Sequence, residues 1–285
     1  MSVPNATTLK IKEGSPNAIW TTLVNNNSIK DVSVTDTRVA YIDSGYRLWV
    51  KEGGLSSQWA HVADNVYRVE LQGNRIFVID NYFKLRVKVG PLNAGWVDLK
   101  YDAIDMRVSK NRVLVVSEYD GYTTRLAVKD GSLDAQWQTI AYPVSSYQNK
   151  YSSPAIAVTD TRIAYLGGDY TGFRIKEGSI YSSWYNYVYM DTAFNIALSG
   201  DRLCINRATA ISAEILCKEG PLYAMFNVMH DNAFLDDISQ DKMTVRTYLN
   251  NPSYPNNALM LLEGRATANS GWKVLDQGAF LGISK

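Results

Sequence analysis

The chain has 285 residues, with 29 Lys plus Arg against 28 Asp plus Glu and a net charge of +1. That balance leaves no basic footprint for nucleic acid or for an anionic membrane surface. With only two histidines, His61 and His230, there is little material for zinc or acid–base chemistry, so neither metal nor cofactor is expected.

Residues Met1 to Thr8 show neither a charged leader region nor an apolar core. No run of about 18 apolar residues follows anywhere. The expectation is a soluble protein with no signal peptide and no membrane span, either cytoplasmic or released by a non-classical route. A first strand is predicted at Leu9-Lys10-Ile11-Lys12. It leads into Lys12-Glu13-Gly14, with Trp20 six residues after the glycine.

This phrase then recurs along the chain. Lys51-Glu52-Gly53 precedes Trp59, Lys88-Val89-Gly90 precedes Trp96, and Lys129-Asp130-Gly131 precedes Trp137. Lys176-Glu177-Gly178 precedes Trp184, Lys218-Glu219-Gly220 precedes Phe226, and Leu262-Glu263-Gly264 precedes Trp272. Self-similarity at a period near 40 residues is the signature of a repeat architecture. Within one unit the pattern is Lys30–Val34, the turn 35–37, Arg38–Ile42, the turn 43–45, Arg47–Lys51, the glycine turn, and Trp59–Val62. Runs of about five residues with period two, bounded by Gly, Asp, Asn and Ser, read as strands. Four of them per repeat make a propeller blade of WD-like architecture.

The predicted fold is therefore all-β: one seven-bladed β-propeller domain over residues 1–285, with four antiparallel strands per blade. The chain opens on a third strand and ends on a first strand, Ala279–Ser284. The seventh blade is thus expected to form from residues 1–25 and 278–285, with its inner strand supplied by the C-terminus. Such closure pairs both terminal strands and removes open sheet edges.

The glycines are expected to hold positive φ in a turn. The aromatics open the outer strands. They either pack between blades or offer a stacking face to a sugar, and Phe226 in this row favours packing. A basic residue opens each second strand: Arg38, Arg75, Arg112, Arg162, Arg202 and Lys242. It is expected to make a surface cross-strand pair, Arg38 with Glu52 for example, although Val89 stands in the glutamate's place opposite Arg75. Cys204 and Cys217 are too few for a disulfide framework and read as two small buried hydrophobes, with a bridge inside one hairpin left open.

Length varies most between second and third strands and between blades. Those loops are rich in Tyr119, Tyr122, Tyr142, Tyr147, Tyr151, Tyr170, Tyr248 and Tyr254, mixed with Ser and Asn. Tyrosine offers rigid area and one hydroxyl, which suits a polyhydroxylated ligand or a protein surface.

The repeat Lys-Glu-Gly-x-Leu-x-x-x-Trp, preceded by Ser-x-Asn/Asp-Arg-Val/Ile, resembles the tandem-repeat propellers of bacterial lectin-like proteins. More loosely, it is similar to the tectonin and tachylectin group. The resemblance spans the whole chain and implies several equivalent, weak sugar sites, which a ring combines through avidity. The expected function is thus a multivalent carbohydrate-binding protein for glycans or glycoconjugates. Its candidate ligand-binding residues are Trp20, Trp59, Trp96, Trp137, Trp184, Trp272, Tyr119, Tyr122, Tyr147, Tyr170 and Tyr254. The alternative is a protein–protein interaction scaffold using the tyrosine-rich loops of one face. No enzyme is expected: the inner-strand acids Asp31, Glu70, Asp105, Asp236 and Asp237 read as scattered tunnel linings, and no nucleophile elbow, HExxH or P-loop is present.

Overall fold

A computed structural model describes residues 8–15, 17–25, 28–118, 124–142, 156–167, 172–187, 193–208, 213–231, 233–238, 242–247, 258–263 and 272–277. The N-terminal strands are β1 (Leu9–Ile11) and β2 (Thr21–Val24). Six four-stranded sheets follow. The first is β3 (Ile29–Val34), β4 (Arg38–Asp43), β5 (Leu48–Glu52) and β6 (Ala60–Ala63). The second is β7 (Val66–Gln72), β8 (Arg75–Asp80), β9 (Leu85–Val89) and β10 (Trp96–Lys100). The third is β11 (Ala103–Val108), β12 (Arg112–Glu118), β13 (Thr124–Asp130) and β14 (Gln138–Ala141). The fourth is β15 (Ile156–Val158), β16 (Arg162–Leu166), β17 (Phe173–Glu177) and β18 (Tyr185–Tyr187). The fifth is β19 (Ala193–Ser199), β20 (Arg202–Ala208), β21 (Ala213–Lys218) and β22 (Asn227–Asp231). The sixth is β23 (Ala233–Ile238), β24 (Lys242–Thr247), β25 (Ala258–Glu263) and β26 (Lys273–Gln277). Every sheet is an antiparallel meander in chain order.

The second strand of a blade is buried on both faces. All six residues of β4, Arg-Val-Ala-Tyr-Ile-Asp, are buried, which is why these strands read as continuous apolar runs rather than as an alternation. The cores lie between blades. Leu48, Val50 and Ile42 of the first blade pack on Val66, Leu71 and Ile76 of the second. Four further clusters join the second blade to the third, and so on to the sixth.

Seven four-stranded blades were anticipated. Among the described residues there are six, and the N-terminal repeat contributes a two-stranded sheet, β1–β2. The residues expected to complete it, within 1–7 and 278–285, lie outside the described residues. The two-stranded sheet nonetheless takes part in the ring's inter-blade bonding. Trp59 Nε1 donates to Leu23 O of β2 at 3.4 Å, and Trp20 Nε1 donates to Leu275 O of β26 at the same distance.

Of the two readings of the cysteines, small buried hydrophobes or a bridge inside one hairpin, the less favoured one is found, although both residues are buried. Cys204 and Cys217 are joined by a disulfide. They are direct partners across β20 and β21, with Cα atoms 4.2 Å apart, and that register brings their sulfurs together. Met243 Sδ of the next blade lies 3.5 Å from Cys217 Sγ.

Candidate functional site

Geometry accounts for most of the repeated residues. Gly14, Gly53, Gly90, Gly131, Gly178 and Gly220 all have φ between +79° and +92°, where a side chain is strained. The indoles are half-buried, and each closes the outer edge of the core shared with the preceding blade. Trp96, Trp137, Trp184 and Trp272 pack on successive clusters, with Phe226 in the same place. Their N–H groups are engaged: Trp137 donates to Leu99 O at 2.9 Å and Trp184 to Ile140 O at 3.1 Å. In each such bond, those of Trp20 and Trp59 included, the acceptor stands three residues after the preceding blade's aromatic.

The lysine of the phrase is a buried partner to the indole. Lys51, Lys88, Lys129, Lys176 and Lys218 are all buried, and each donates to carbonyls of the glycine loop, such as Lys129 Nζ to Leu133 O at 2.7 Å. Their ammonium groups lie over the aromatic ring, from 4.2 Å for Lys176 on Trp184 to 5.5 Å for Lys218 on Phe226. Lys12 does the same over Trp20 at 4.9 Å. A cation held against an indole face is a favourable electrostatic pair, and it takes up a surface on which a sugar would stack. Burial lowers the pKa of Lys88, Lys129 and Lys176. It lowers that of Lys218 to about 8, with Arg162 adding to the effect and Glu177 opposing it.

The fifth blade is tied to the fourth through a different bond. Phe226 cannot donate. Tyr187 of β18, whose ring stacks on Phe173 at 4.4 Å, instead places its hydroxyl between Lys218 Nζ and Leu222 O.

The expected cross-strand pairs are made, Arg38 with Glu52 among them, but four of these arginines are buried rather than on the surface, which corrects that part of the expectation. Arg38, Arg112, Arg162 and Arg202 are buried, because each guanidinium reaches across to the next blade. Arg162 donates to Glu177 Oε1 in its own blade. It also donates to Asp201 O and Gly220 O in the following one, at 2.6 and 2.7 Å. Arg38 repeats this with Glu52, Asn74 O and Gly90 O. Arg75, which lacks the acid, donates to Ser109 O and Lys110 O. A planar fork that satisfies carbonyls and a carboxylate together suits Arg where Lys would not serve.

On the first strands of their blades, Asp31 and Asp105 hold the same repeat position, with Arg68 at that position in the blade between them. Their side chains tie neighbouring inner strands. Asp31 accepts from Val69 N at 2.9 Å, Ser33 from Leu71 N, Glu70 from Val108 N, and Asn195 donates to Leu235 O. Burial raises the pKa of Asp31, against the pull of Arg68. Arg107 is held further up by Asp105, against its burial. The side chains of Asp236 and Asp237 lie outside the described residues. Among the described residues no group of three His, Cys, Asp or Glu could hold a metal ion.

The loop tyrosines Tyr119, Tyr122, Tyr147, Tyr170 and Tyr254 lie outside the described residues. Tyr142, singled out from sequence, is exposed, and so are several aromatics that sequence reasoning passed over. Tyr82 and Tyr101, 79% and 61% exposed, flank Lys84, whose ammonium lies over Tyr101 at 5.0 Å and pairs with Asp98 at 3.1 Å. Tyr181 and Tyr223 are 78% and 79% exposed, and Met225 is 84% exposed. They occupy the glycine loops of the fourth and fifth blades. The signal was visible: Tyr181 and Tyr223 stand three residues after the glycine, where other blades carry Ser56, Asn93 and Asp134.

No protein-family model and no curated protein matches the chain. Solved structures do share its shape. The β-propeller domain of the Trilobed protease from Pyrococcus furiosus superposes with a TM-score of 0.64 at 10% identity, covering 95% of this chain and 93% of that one. The acylaminoacyl peptidase of Pyrococcus horikoshii gives 0.64 at 11% identity over 95% of this chain, which spans only 48% of the peptidase. YCF48, solved bound to D1 peptide, gives 0.56 at 9% identity, covering 96% of this chain and 87% of that one. Identities this low establish a shared fold, a β-propeller with four antiparallel strands per blade, and nothing about activity.

Proposed function

We propose that the chain is a seven-bladed, non-catalytic propeller that acts as a protein-interaction platform. The bonds from Trp20 to Leu275 O and from Trp59 to Leu23 O support a seventh blade around β1 and β2, completed by residues within 1–7 and 278–285. One observation carries the functional reading: the residues of the repeated phrase are engaged internally, and the exposed tyrosines of the glycine loops stand on two adjacent blades, where Ser56, Asn93 and Asp134 fill the same position in three others. A multivalent sugar binder needs equivalent exposed groups on many blades. A platform needs one asymmetric surface, with aromatic anchors that lose little rotamer freedom on binding.

The test is stoichiometry. The purified chain is screened on a glycan array. Partners captured from its native source are then titrated by calorimetry and mapped by cross-linking. The platform reading expects silence on the glycans and one site per chain, mapping to exposed tyrosines. Several equivalent weak sites competed by a free monosaccharide would restore the carbohydrate reading and displace this one.

A further inference from the structure

We infer that the glycine loops of the fourth and fifth blades form a docking surface for a basic protein segment that also carries apolar side chains. The inference rests on the platform reading and assigns it a place and a partner chemistry. Loops of one length occupy this position in neighbouring blades. In the first three blades they present Ser56 and Gln58, Asn93 and Gly95, and Asp134 and Gln136. In the fourth and fifth they present Tyr181, Tyr223 and Met225, all more than three-quarters exposed. The outer strands beside them add exposed Tyr185 and Val228. Among the described residues Ile19, in the N-terminal repeat, is the one comparably exposed apolar group in another glycine loop, whereas the fourth and fifth blades present three side by side, and such a cluster marks an interaction surface.

Charge selects the occupant. Among the described residues around these loops the exposed ionised groups are the carboxylates of Asp160, Glu177 and Asp201, with the one exposed cation Lys110 beside Asp160, in the turn whose Asn111 N donates to that carboxylate. The same region contains further cations, but Arg162, Arg202, Lys176 and Lys218 are buried under it, held by carbonyls, by Glu177 and Glu219, and by aromatic rings. An arriving partner therefore meets mainly carboxylates and aromatics, with the other cations beneath. Arginine or lysine alternating with apolar residues complements that surface, and an acidic segment is repelled. Arg162 and Arg202 fix the glycine loops to their neighbours through Gly220 O and Lys242 O, so the surface is held in place before binding.

The probe is a fluorescein-labelled 12-residue peptide of interleaved arginine, leucine and glycine, read by fluorescence anisotropy beside its glutamate counterpart. The variant Tyr181→Ser, Tyr223→Asn, Met225→Gln installs residues already tolerated at those positions in other blades, so the fold is kept. The basic peptide is expected to bind, to weaken as salt rises, and to lose at least tenfold in affinity with the triple variant. Asp160→Asn with Asp201→Asn is expected to flatten the salt dependence. Equal affinity for the glutamate peptide, or no change in the triple variant, overturns the inference. So does protection of the surface by free monosaccharides, or a self-associated dimer dissolved by the same variant. A one-to-one partner that cross-links only near Tyr82 and Tyr101 keeps the platform reading and rejects this one.

Discussion

Replacing Arg162 with alanine separates a buried inter-blade tie from a surface ion pair. The side chain is 2% exposed and makes four hydrogen bonds, two to Glu177 Oε1 and one each to Asp201 O and Gly220 O. Its removal leaves two carbonyls at an inter-blade seam and a carboxylate that lacks its cation. Glu177 is 46% exposed and is rehydrated, so the cost comes mainly from the two carbonyls, about 2–4 kcal/mol, whereas an exposed pair contributes about 0.2–1 kcal/mol. At an unfolding entropy of about 2.1 cal/mol/K per residue, that is a fall in melting temperature of about 3–7 °C. Arg162→Lys is expected to recover part of the loss through charge alone, since an ammonium cannot serve carboxylate and both carbonyls in one plane. Calorimetric melting of wild type, Arg162→Ala and Arg162→Lys at neutral pH is the assay. A loss under about 1 kcal/mol in Arg162→Ala refutes the tie and returns the arginine to the surface role read from sequence.

Three other outcomes are expected. Trp137→Phe keeps a packed ring but loses the 2.9 Å bond to Leu99 O, so chemical denaturation should show a loss of about 1–2 kcal/mol, against about 3–5 kcal/mol for Trp137→Ala. Lys218 titrates near 8 when folded and near 10.5 when exposed on unfolding, so below pH 8 both states are charged and its burial penalty is fully present. Between these values only the unfolded chain holds the proton, and stability rises with pH. The unfolding free energy of wild type should gain about 1–2 kcal/mol on that of Lys218→Met between pH 7.5 and 9.5, and a flat difference would count against the burial effect. The Cys204–Cys217 bridge closes a sequence separation of 13, and its reduction should lower stability by about 2–3 kcal/mol in denaturant with and without a phosphine reductant. An unchanged midpoint, or free thiols by mass spectrometry in the oxidised protein, would contradict it.

The repeat was legible because the blades share the same turn, the same edge-closing aromatic and, in the first five, the same buried lysine, and spacing alone exposes that. The roles were harder to read. Arg38 and Glu52 are cross-strand partners in the register, as alternation implies, but sequence within one blade cannot show that the guanidinium also reaches Asn74 O and Gly90 O of the next. Lysine was seen as part of a motif and not as the cover of an indole face, because charge on a strand ordinarily reads as solvent exposure. Phe226 looked like a tolerated substitution, whereas Tyr187, 39 positions earlier, ties the two blades through a different bond. Tyr181 and Tyr223 went unnoticed because attention fell on loops that change in length, and these loops change only in chemistry.

A crystal of the protein soaked with mixed monosaccharides tests most directly whether the repeated residues are scaffold. The account predicts that Lys12, Lys51, Lys88, Lys129 and Lys176 remain against Trp20, Trp59, Trp96, Trp137 and Trp184, with no sugar on those rings. Sugar density stacked on the indoles of several blades, with the lysines displaced, would contradict it.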